Sequence, residues 1–173
     1  MGLKKDKIGI LGGSFDPAHK GHLAISKEAL KRLKLKKIIW AITKKNPFKK
    51  ISNISLLNRI KHCKKIINKT NLIKVKFYED IIKSNKTINL INFFTKNKKN
   101  EVYFIMGADN LINFHKWHKW KMISKKCNII VFDRYGYKKK SLNSKSYKSL
   151  NKEKLKFIDF NKVNISSSQL RKI

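Results

Sequence analysis

Two histidines, His19 and His22, stand three positions apart, just after the segment 12–17, which reads Gly-Gly-Ser-Phe-Asp-Pro. An apolar run over 8–11 precedes this segment and an amphipathic pattern follows it, so strand, turn and helix are predicted in that order. Glycines allow the backbone to turn tightly and to approach a ligand closely, and the first N–H groups of a helix attract phosphate. The histidines add two hydrogen-bond donors there. These residues predict chemistry at the phosphate of a nucleotide.

The reaction that suits these side chains is nucleotidyl transfer, in which an acceptor attacks the α-phosphorus of a nucleoside triphosphate and pyrophosphate leaves. An acceptor that is itself a phosphate is already anionic, so positioning and charge stabilisation can supply the rate without a general base. We therefore interpret His19 and His22 as catalytic donors to phosphate oxygens. The alternative is an ordinary turn followed by histidines that only cap a helix. The glycine spacing matches neither a P-loop nor a dinucleotide fingerprint.

Apolar runs that alternate with helical patterns predict the elements that position this segment. After the first strand, further strands are expected at 38–42, 72–77, 102–106, 128–132 and 156–160. Helical periodicity lies between several of them, and the polar stretch 138–154 is expected to be a mobile surface connection. This alternation predicts an α/β fold, a Rossmann-like doubly wound parallel sheet, in a single domain over residues 1–173. Four segments are then expected at the carboxyl ends of strands: 12–22, 43–49, 107–117 and 166–171.

A second motif lies near the end of the chain, where Ser166 and Gln169 have the spacing of a capping box and Ile165 and Leu170 that of a hydrophobic staple. The three hydroxyls at 166–168 and a nearby cation would stand at a helix N-terminus. Such a set can hold the β- and γ-phosphates of a triphosphate. The expected ligands are Ser166, Ser167, Ser168 and Arg171. The alternative is a well-capped helix with exposed serines.

With both motifs present, the chain resembles the bacterial nicotinate-nucleotide adenylyltransferases of the nucleotidylyltransferase superfamily. The resemblance extends over nearly the whole chain. It implies transfer of the adenylyl group of ATP to nicotinate mononucleotide, giving nicotinate adenine dinucleotide and pyrophosphate in NAD biosynthesis. It also implies Mg²⁺ held mainly by the triphosphate, with no metal ligand from the protein.

Individual positions take further roles from the same resemblance. The resemblance assigns the binding of ATP and its phosphates to Gly13, Ser14, Phe15, Gly107 and Asp109, together with the second motif. Binding of the acceptor nucleotide falls to Asn46, Lys49, Thr87, Trp117 and Arg134. Each has a plainer alternative: Thr87 and Asp109 could cap helices, and Trp117 could simply pack a helix. The loop after Arg134 lacks the proline that relatives have.

Other acceptors and another class of function stay open at this point. Nicotinamide mononucleotide or phosphopantetheine could replace nicotinate mononucleotide. The cytidylyltransferases are a further enzyme alternative, although they usually lack the Gly-Gly-Ser-Phe-Asp-Pro form and the Gly-Ala-Asp segment. A basic nucleic-acid-binding module is the alternative from a different class. Such a module would bind RNA or DNA tightly at physiological salt and would lack adenylyltransferase activity.

The formal net charge of +33 alone would suggest binding to nucleic acid or to an anionic membrane. The charge is spread over nearly every segment and accompanies abundant Asn and Ile, which favours codon bias, so no specific nucleic-acid partner is expected. No apolar run is long enough for a membrane span and no secretory signal is visible, so a cytoplasmic setting is expected. Cys63 and Cys127 are expected to be small core residues. The sequence leaves room for a homo-oligomer.

Overall fold

Six parallel strands form the centre of the structure, a computed structural model that describes residues 4–46, 52, 54–68 and 70–160. The strands lie in the order β3-β2-β1-β4-β5-β6. Their bounds are β1 Asp6–Gly13, β2 Lys37–Ile42, β3 Ile73–Phe77, β4 Asn100–Gly107, β5 Asn128–Phe132 and β6 Leu155–Ile158. This is the doubly wound sheet expected from the sequence, and its topology reverses between β1 and β4.

Helices cover both faces of the sheet because the inner strands are apolar on both sides. The helix bounds are α1 Lys20–Leu33, α2 Leu56–Ile66, α3 Glu79–Ile82, α4 Thr87–Thr95, α5 Ala108–Asn113, α6 Trp120–Lys126, α7 Lys138–Leu142 and α8 Lys145–Ser149. A 3₁₀ turn, Phe114–Lys116, follows α5. Successive residues of one strand serve opposite faces: Ile39 packs with the core on the α4–α6 side, and Trp40 with the core around α1 and α2. Cys63 and Cys127 are buried in these cores, as predicted.

Two local predictions are wrong. The polar stretch 138–154 is not a mobile connection, because α7 and α8 lie within it and Ser141 and Ser146 are fully buried. The reason is that a serine hydroxyl is small enough to be buried once it is hydrogen-bonded: Ser141 donates to the Lys138 carbonyl and Ser146 accepts the His115 N–H. The glycines at 12–13 do not make the turn either, since both lie in β1.

The sheet register brings together the ends of the strands that carry the predicted motifs. Gly13, the last residue of β1, pairs with Ile42 at the end of β2, and the Thr43 N–H donates to the Gly13 carbonyl at 2.9 Å. β4 flanks β1 on its other side and ends at Gly107. The crevice at this reversal point is where open α/β sheets bind ligands. In the described part of the chain, no helix combines the length and apolar character that crossing a membrane would require.

Candidate active site

A cavity of about 430 Å³ opens at the carboxyl edge of the sheet, over the reversal between β1 and β4. Its floor is formed by the ends of β1, β2 and β4, and its outer wall by 82–90 and 116–118. Among the described lining residues the charged side chains are Glu79, Lys86 and Lys116. Tyr78 also lines it, and burial raises the pKa of its phenol, which therefore stays neutral. The size and the excess of cationic over anionic side chains suit an anionic nucleotide.

His19 and His22 cap α1 by a reciprocal pair of hydrogen bonds. His19 is the N-cap residue, and its Nδ1 accepts the Gly21 N–H at 3.1 Å. His22 reaches back, and its Nδ1 accepts the His19 N–H at 3.2 Å. A ring nitrogen that accepts must be unprotonated, so a neutral imidazole in this arrangement carries its proton on Nε2. The capping alternative and the donor role are thus compatible: Nδ1 makes the cap, and the N–H of the ring is Nε2–H.

Aromatic rings fix the position of His22, which lines the cavity. The Phe15 ring lies 4.9 Å from the imidazole and stacks on Trp40 at 5.0 Å and 14°. The Trp40 indole N–H donates to Ser26 Oγ at 2.8 Å, and that hydroxyl donates to the His22 carbonyl at 2.8 Å. His22 is therefore held both at its ring and at its main chain. This supports a role that requires a fixed donor.

Phe15 makes the turn between β1 and α1 that the glycines were expected to make. Its φ is +48°, a left-handed conformation that is unfavourable for a bulky side chain. The cost is offset because the ring is almost completely buried against Trp40 and His22. The turn thus depends on aromatic packing, and the side-chain-free surface of Gly12 and Gly13 is left to line the cavity.

Arg59 is a residue of this region that the sequence reasoning missed. It is 2% exposed on α2, and its guanidinium donates to the carbonyls of Ser14 at 2.6 Å, Thr43 at 2.9 Å and Lys44 at 3.0 Å. Its Nε also donates to the Ile54 carbonyl at 3.3 Å. The signal that could have identified it is rarity. Only four of the 43 basic residues are arginine, so Arg59 stands out from a lysine-rich background.

Three of the predicted acceptor-site residues line the cavity: Asn46, Thr87 and Trp117. Thr87 is the first residue of α4, after the N-cap Lys86, so it is not the helix cap. Trp117 is only partly buried, and its ring forms a T-shaped contact with the Phe104 ring, with the centroids 6.0 Å apart. Trp117 therefore combines packing against the core with a place in the cavity wall.

Glu79 was not predicted but also belongs to the cavity wall. Its carboxylate accepts hydrogen bonds from the Thr43 hydroxyl and, at 3.2 Å, from the Lys44 N–H. It thereby ties the start of α3 to the loop after β2.

Asp109 and Arg134 form an ion pair beside the cavity. Arg134 Nη1 lies 2.5 Å from Asp109 Oδ2, and both side chains are about one quarter to one third exposed. Gly107 is adjacent, and a Cβ on it would lie 2.5 Å from Asp109 Oδ1, so the glycine leaves space for this carboxylate. The family resemblance implies that Asp109 binds ATP and that Arg134 binds the acceptor nucleotide. The structure instead places the two side chains in direct contact.

The remaining predicted residues line the cavity, lie beside it, or fall outside the described part of the chain. Gly13, Ser14 and Phe15 line the cavity with His22, whereas His19 stands at the helix cap. Five predicted residues fall outside the described part of the chain: Lys49, Ser166, Ser167, Ser168 and Arg171. Within the described part, no group of three or more His, Cys, Asp or Glu side chains could hold a metal ion.

Comparison with known proteins identifies the family. A family model described as cytidylyltransferase-like matches residues 10–173. A protein of Pelagibacter ubique, named a probable nicotinate-nucleotide adenylyltransferase, is 71% identical over 173 residues, which are 100% of this chain and 96% of the relative. The chain belongs to the nicotinate-nucleotide adenylyltransferases. A second relative so named, from Nitratiruptor, is 41% identical over 76% of each chain.

Solved structures support the fold of this adenylyltransferase. The nicotinic acid mononucleotide adenylyltransferase of Plasmodium falciparum, in complex with NaAD, superposes with a TM-score of 0.79 and 22% sequence identity. The match covers 96% of this chain and 83% of that one. A putative nicotinate-nucleotide adenylyltransferase from Vibrio parahaemolyticus gives a TM-score of 0.62 over 96% of this chain and 85% of that one, at 19% identity. The predicted nucleotidylyltransferase fold is confirmed.

Proposed function

We propose that this chain transfers the adenylyl group of ATP to nicotinate mononucleotide. The products are nicotinate adenine dinucleotide and pyrophosphate. The observation that carries the proposal is the full-length 71% identity to a relative named for this activity. The cavity adds independent support, because it lies at the reversal point of the sheet and His22 is fixed in its wall.

The chemical step needs no proton acceptor from the protein. A phosphate oxygen of the mononucleotide attacks the α-phosphorus of ATP, a new P–O bond forms, and the bond to the β-phosphate oxygen breaks with release of pyrophosphate. Negative charge grows on the phosphate oxygens in the transition state. We propose that His19 and His22 donate through Nε2–H to these oxygens, because their Nδ1 atoms already accept main-chain N–H groups. Fixed N–H donors stabilise that charge with little reorganisation.

ATP would lie over the β1–α1 turn and the end of β4. The main chain at 13–15 would run along the phosphates, and Gly107 with Asp109 would lie beside the adenosine, where Asp109 can accept from a ribose hydroxyl. Arg134 orients this carboxylate through the ion pair. The hydroxyls at 166–168 and Arg171 are proposed to hold the β- and γ-phosphates. Mg²⁺ enters as part of the MgATP substrate and supplies charge neutralisation on the triphosphate.

The acceptor would occupy the outer wall of the cavity. We propose that Trp117 stacks on the pyridine ring and that Thr87, at the start of α4, faces the nicotinate carboxylate. Asn46 would contact the acceptor nucleotide from the loop after β2. Lys49 is proposed to bind the same nucleotide. Lys86 adds positive charge to the same wall, which favours an anionic pyridine substituent over a neutral amide.

A panel of acceptors tests the assignment. Pyrophosphate release is measured with MgATP and, in separate reactions, nicotinate mononucleotide, nicotinamide mononucleotide and phosphopantetheine. We expect nicotinate mononucleotide to give the highest kcat/KM. A higher value with phosphopantetheine, or no turnover with either pyridine nucleotide, would overturn the proposed substrate.

A further inference from the structure

The segment Ser14–Ala18 joins the sheet to the capping histidines, and α2 contacts it at both ends. Arg59 donates to the Ser14 carbonyl at 2.6 Å, and His62, three residues along the helix, donates through Nε2 to the Ala18 carbonyl at 3.0 Å. Both are side chains of one helical face because residues three apart are neighbours on a helix. The segment that carries Phe15 and leads to His19 is thus attached to α2 as well as to β1.

Arg59 also joins this segment to the loop after β2. The same Nη1 that reaches Ser14 donates to the Thr43 carbonyl, and Nη2 donates to the Lys44 carbonyl. Ser14 and Thr43 both line the cavity, whereas Arg59 does not. One buried side chain therefore fixes the distance between two cavity walls that belong to different strands.

The chemistry of the guanidinium explains why this position needs arginine. Within the described residues, every hydrogen bond of Arg59 ends on a main-chain carbonyl, and none ends on a carboxylate. Desolvation of a buried cation is costly, and an apolar side chain in its place would leave these main-chain carbonyls without their donor. The planar guanidinium has five donors and contacts four main-chain carbonyls at once, whereas a lysine ammonium has only three donors.

We propose that Arg59, assisted by His62, is a positioning residue for the transfer reaction. It holds the β1–α1 turn and the loop after β2 at the separation at which the donors and the two bound nucleotides align. The inference rests on the proposed function. A positioning role differs from a purely structural one because turnover must fall when the spacing is lost, even in a folded enzyme that still binds both substrates.

The test is Arg59→Lys, which keeps the charge but not the fork. We expect kcat to fall by about tenfold to a hundredfold, since misplacement of reacting groups by about 1 Å has that effect. The KM for each substrate should change by less than about threefold because Arg59 does not line the cavity.

Two control variants separate positioning from general effects. Arg32→Lys makes the same substitution at an exposed site on α1, where Arg32 pairs with Glu28 at 2.6 Å. This variant should keep the kcat and both KM values unchanged. Ile129→Val removes one methylene from the core of β5, where Ile129 is fully buried. It should lower the Tm without lowering kcat.

The outcomes are distinguishable from failure of the proposed function. The activity of the unsubstituted protein tests the substrate assignment. The kcat of the variant divided by the kcat of the unsubstituted protein tests positioning. A folded Arg59→Lys enzyme with unchanged kcat would overturn the inference. If that variant does not fold, His62→Ala and His62→Gln decide. We then expect kcat to fall about threefold in the first, as for loss of one hydrogen bond, and to recover in the second. Unchanged kcat in His62→Ala would then overturn it.

Discussion

Replacement of His22 by asparagine separates the two roles that the structure gives this residue. Asparagine can place its Oδ1 near the position of the imidazole Nδ1, so the hydrogen bond from the His19 N–H can be kept. It has no atom at the position of Nε2. Glutamine has the opposite property: its amide N–H can approach the Nε2 position, and the cap is weakened. Both variants lose the ring contacts with Phe15 and Trp40, so their difference isolates the donor.

The expected magnitudes follow from these contacts. Loss of one fixed donor to a developing oxyanion costs about 10²-fold to 10³-fold in kcat. Loss of a helix cap costs about 0.5–2 kcal/mol, and in a chain of this size each kcal/mol lowers the Tm by about 2–4 °C. His22→Asn should therefore lose at least about a hundredfold in kcat at saturating substrates with a small change in Tm. His22→Gln should retain more turnover at a lower Tm.

The assay combines pyrophosphate release at saturating MgATP and mononucleotide with thermal unfolding followed by circular dichroism. His22→Ala, which lacks both functions, is the reference for the combined loss. Near-normal turnover in His22→Asn together with a reduced Tm in His22→Ala would refute the reasoning. The histidine would then act only as a helix cap.

Three further predictions concern other parts of the site and core. Trp117→Ala should raise the KM for the mononucleotide by about threefold to tenfold and leave that for ATP nearly unchanged, from the loss of stacking; an equal rise in both would show that the indole acts only in the core. Asp109→Asn should raise the KM for ATP because it removes the charge paired with Arg134, and Arg134→Lys should have a weaker effect in the same direction; a change confined to the mononucleotide would contradict this. Burial raises the pKa of Cys63 and of Cys127 to about 12, above the usual value of about 8.5. A thiol reagent at neutral pH should therefore modify both only after unfolding. Because the folded state holds these protons more tightly, the free energy of unfolding should fall as the pH rises between those two values. Rapid labelling of the native protein at neutral pH would refute the expected protection of the two thiols.

Much of the fold could be predicted from the sequence because the inner strands are buried on both faces. Such strands appear as continuous apolar runs, and the run ending at Ile42 and the run 128–132 were both placed correctly. The segment 138–154 was not, because its buried positions are serines, and a scan for apolar periodicity counts these as surface residues. The left-handed turn at Phe15 was also missed, since glycine is the residue that normally adopts this conformation.

The site was predictable where chemistry and local spacing coincide. His19 and His22 lie within one helical turn, so the sequence alone places them together. The ion pair of Asp109 and Arg134 depends on the register between β4 and β5, which no local pattern encodes. Arg59 contacts carbonyls rather than side chains, so no partner residue in the sequence reveals its role. Contacts of this kind require the three-dimensional structure.

The most direct test of the account follows the α-phosphorus of ATP. The purified protein is incubated with MgATP labelled at the α-phosphate and with nicotinate mononucleotide, and the products are separated and quantified over time. The account predicts that the label appears in nicotinate adenine dinucleotide and that one pyrophosphate is formed for each dinucleotide. Pyrophosphate formed together with labelled AMP and no dinucleotide, or label that stays in ATP, would contradict it.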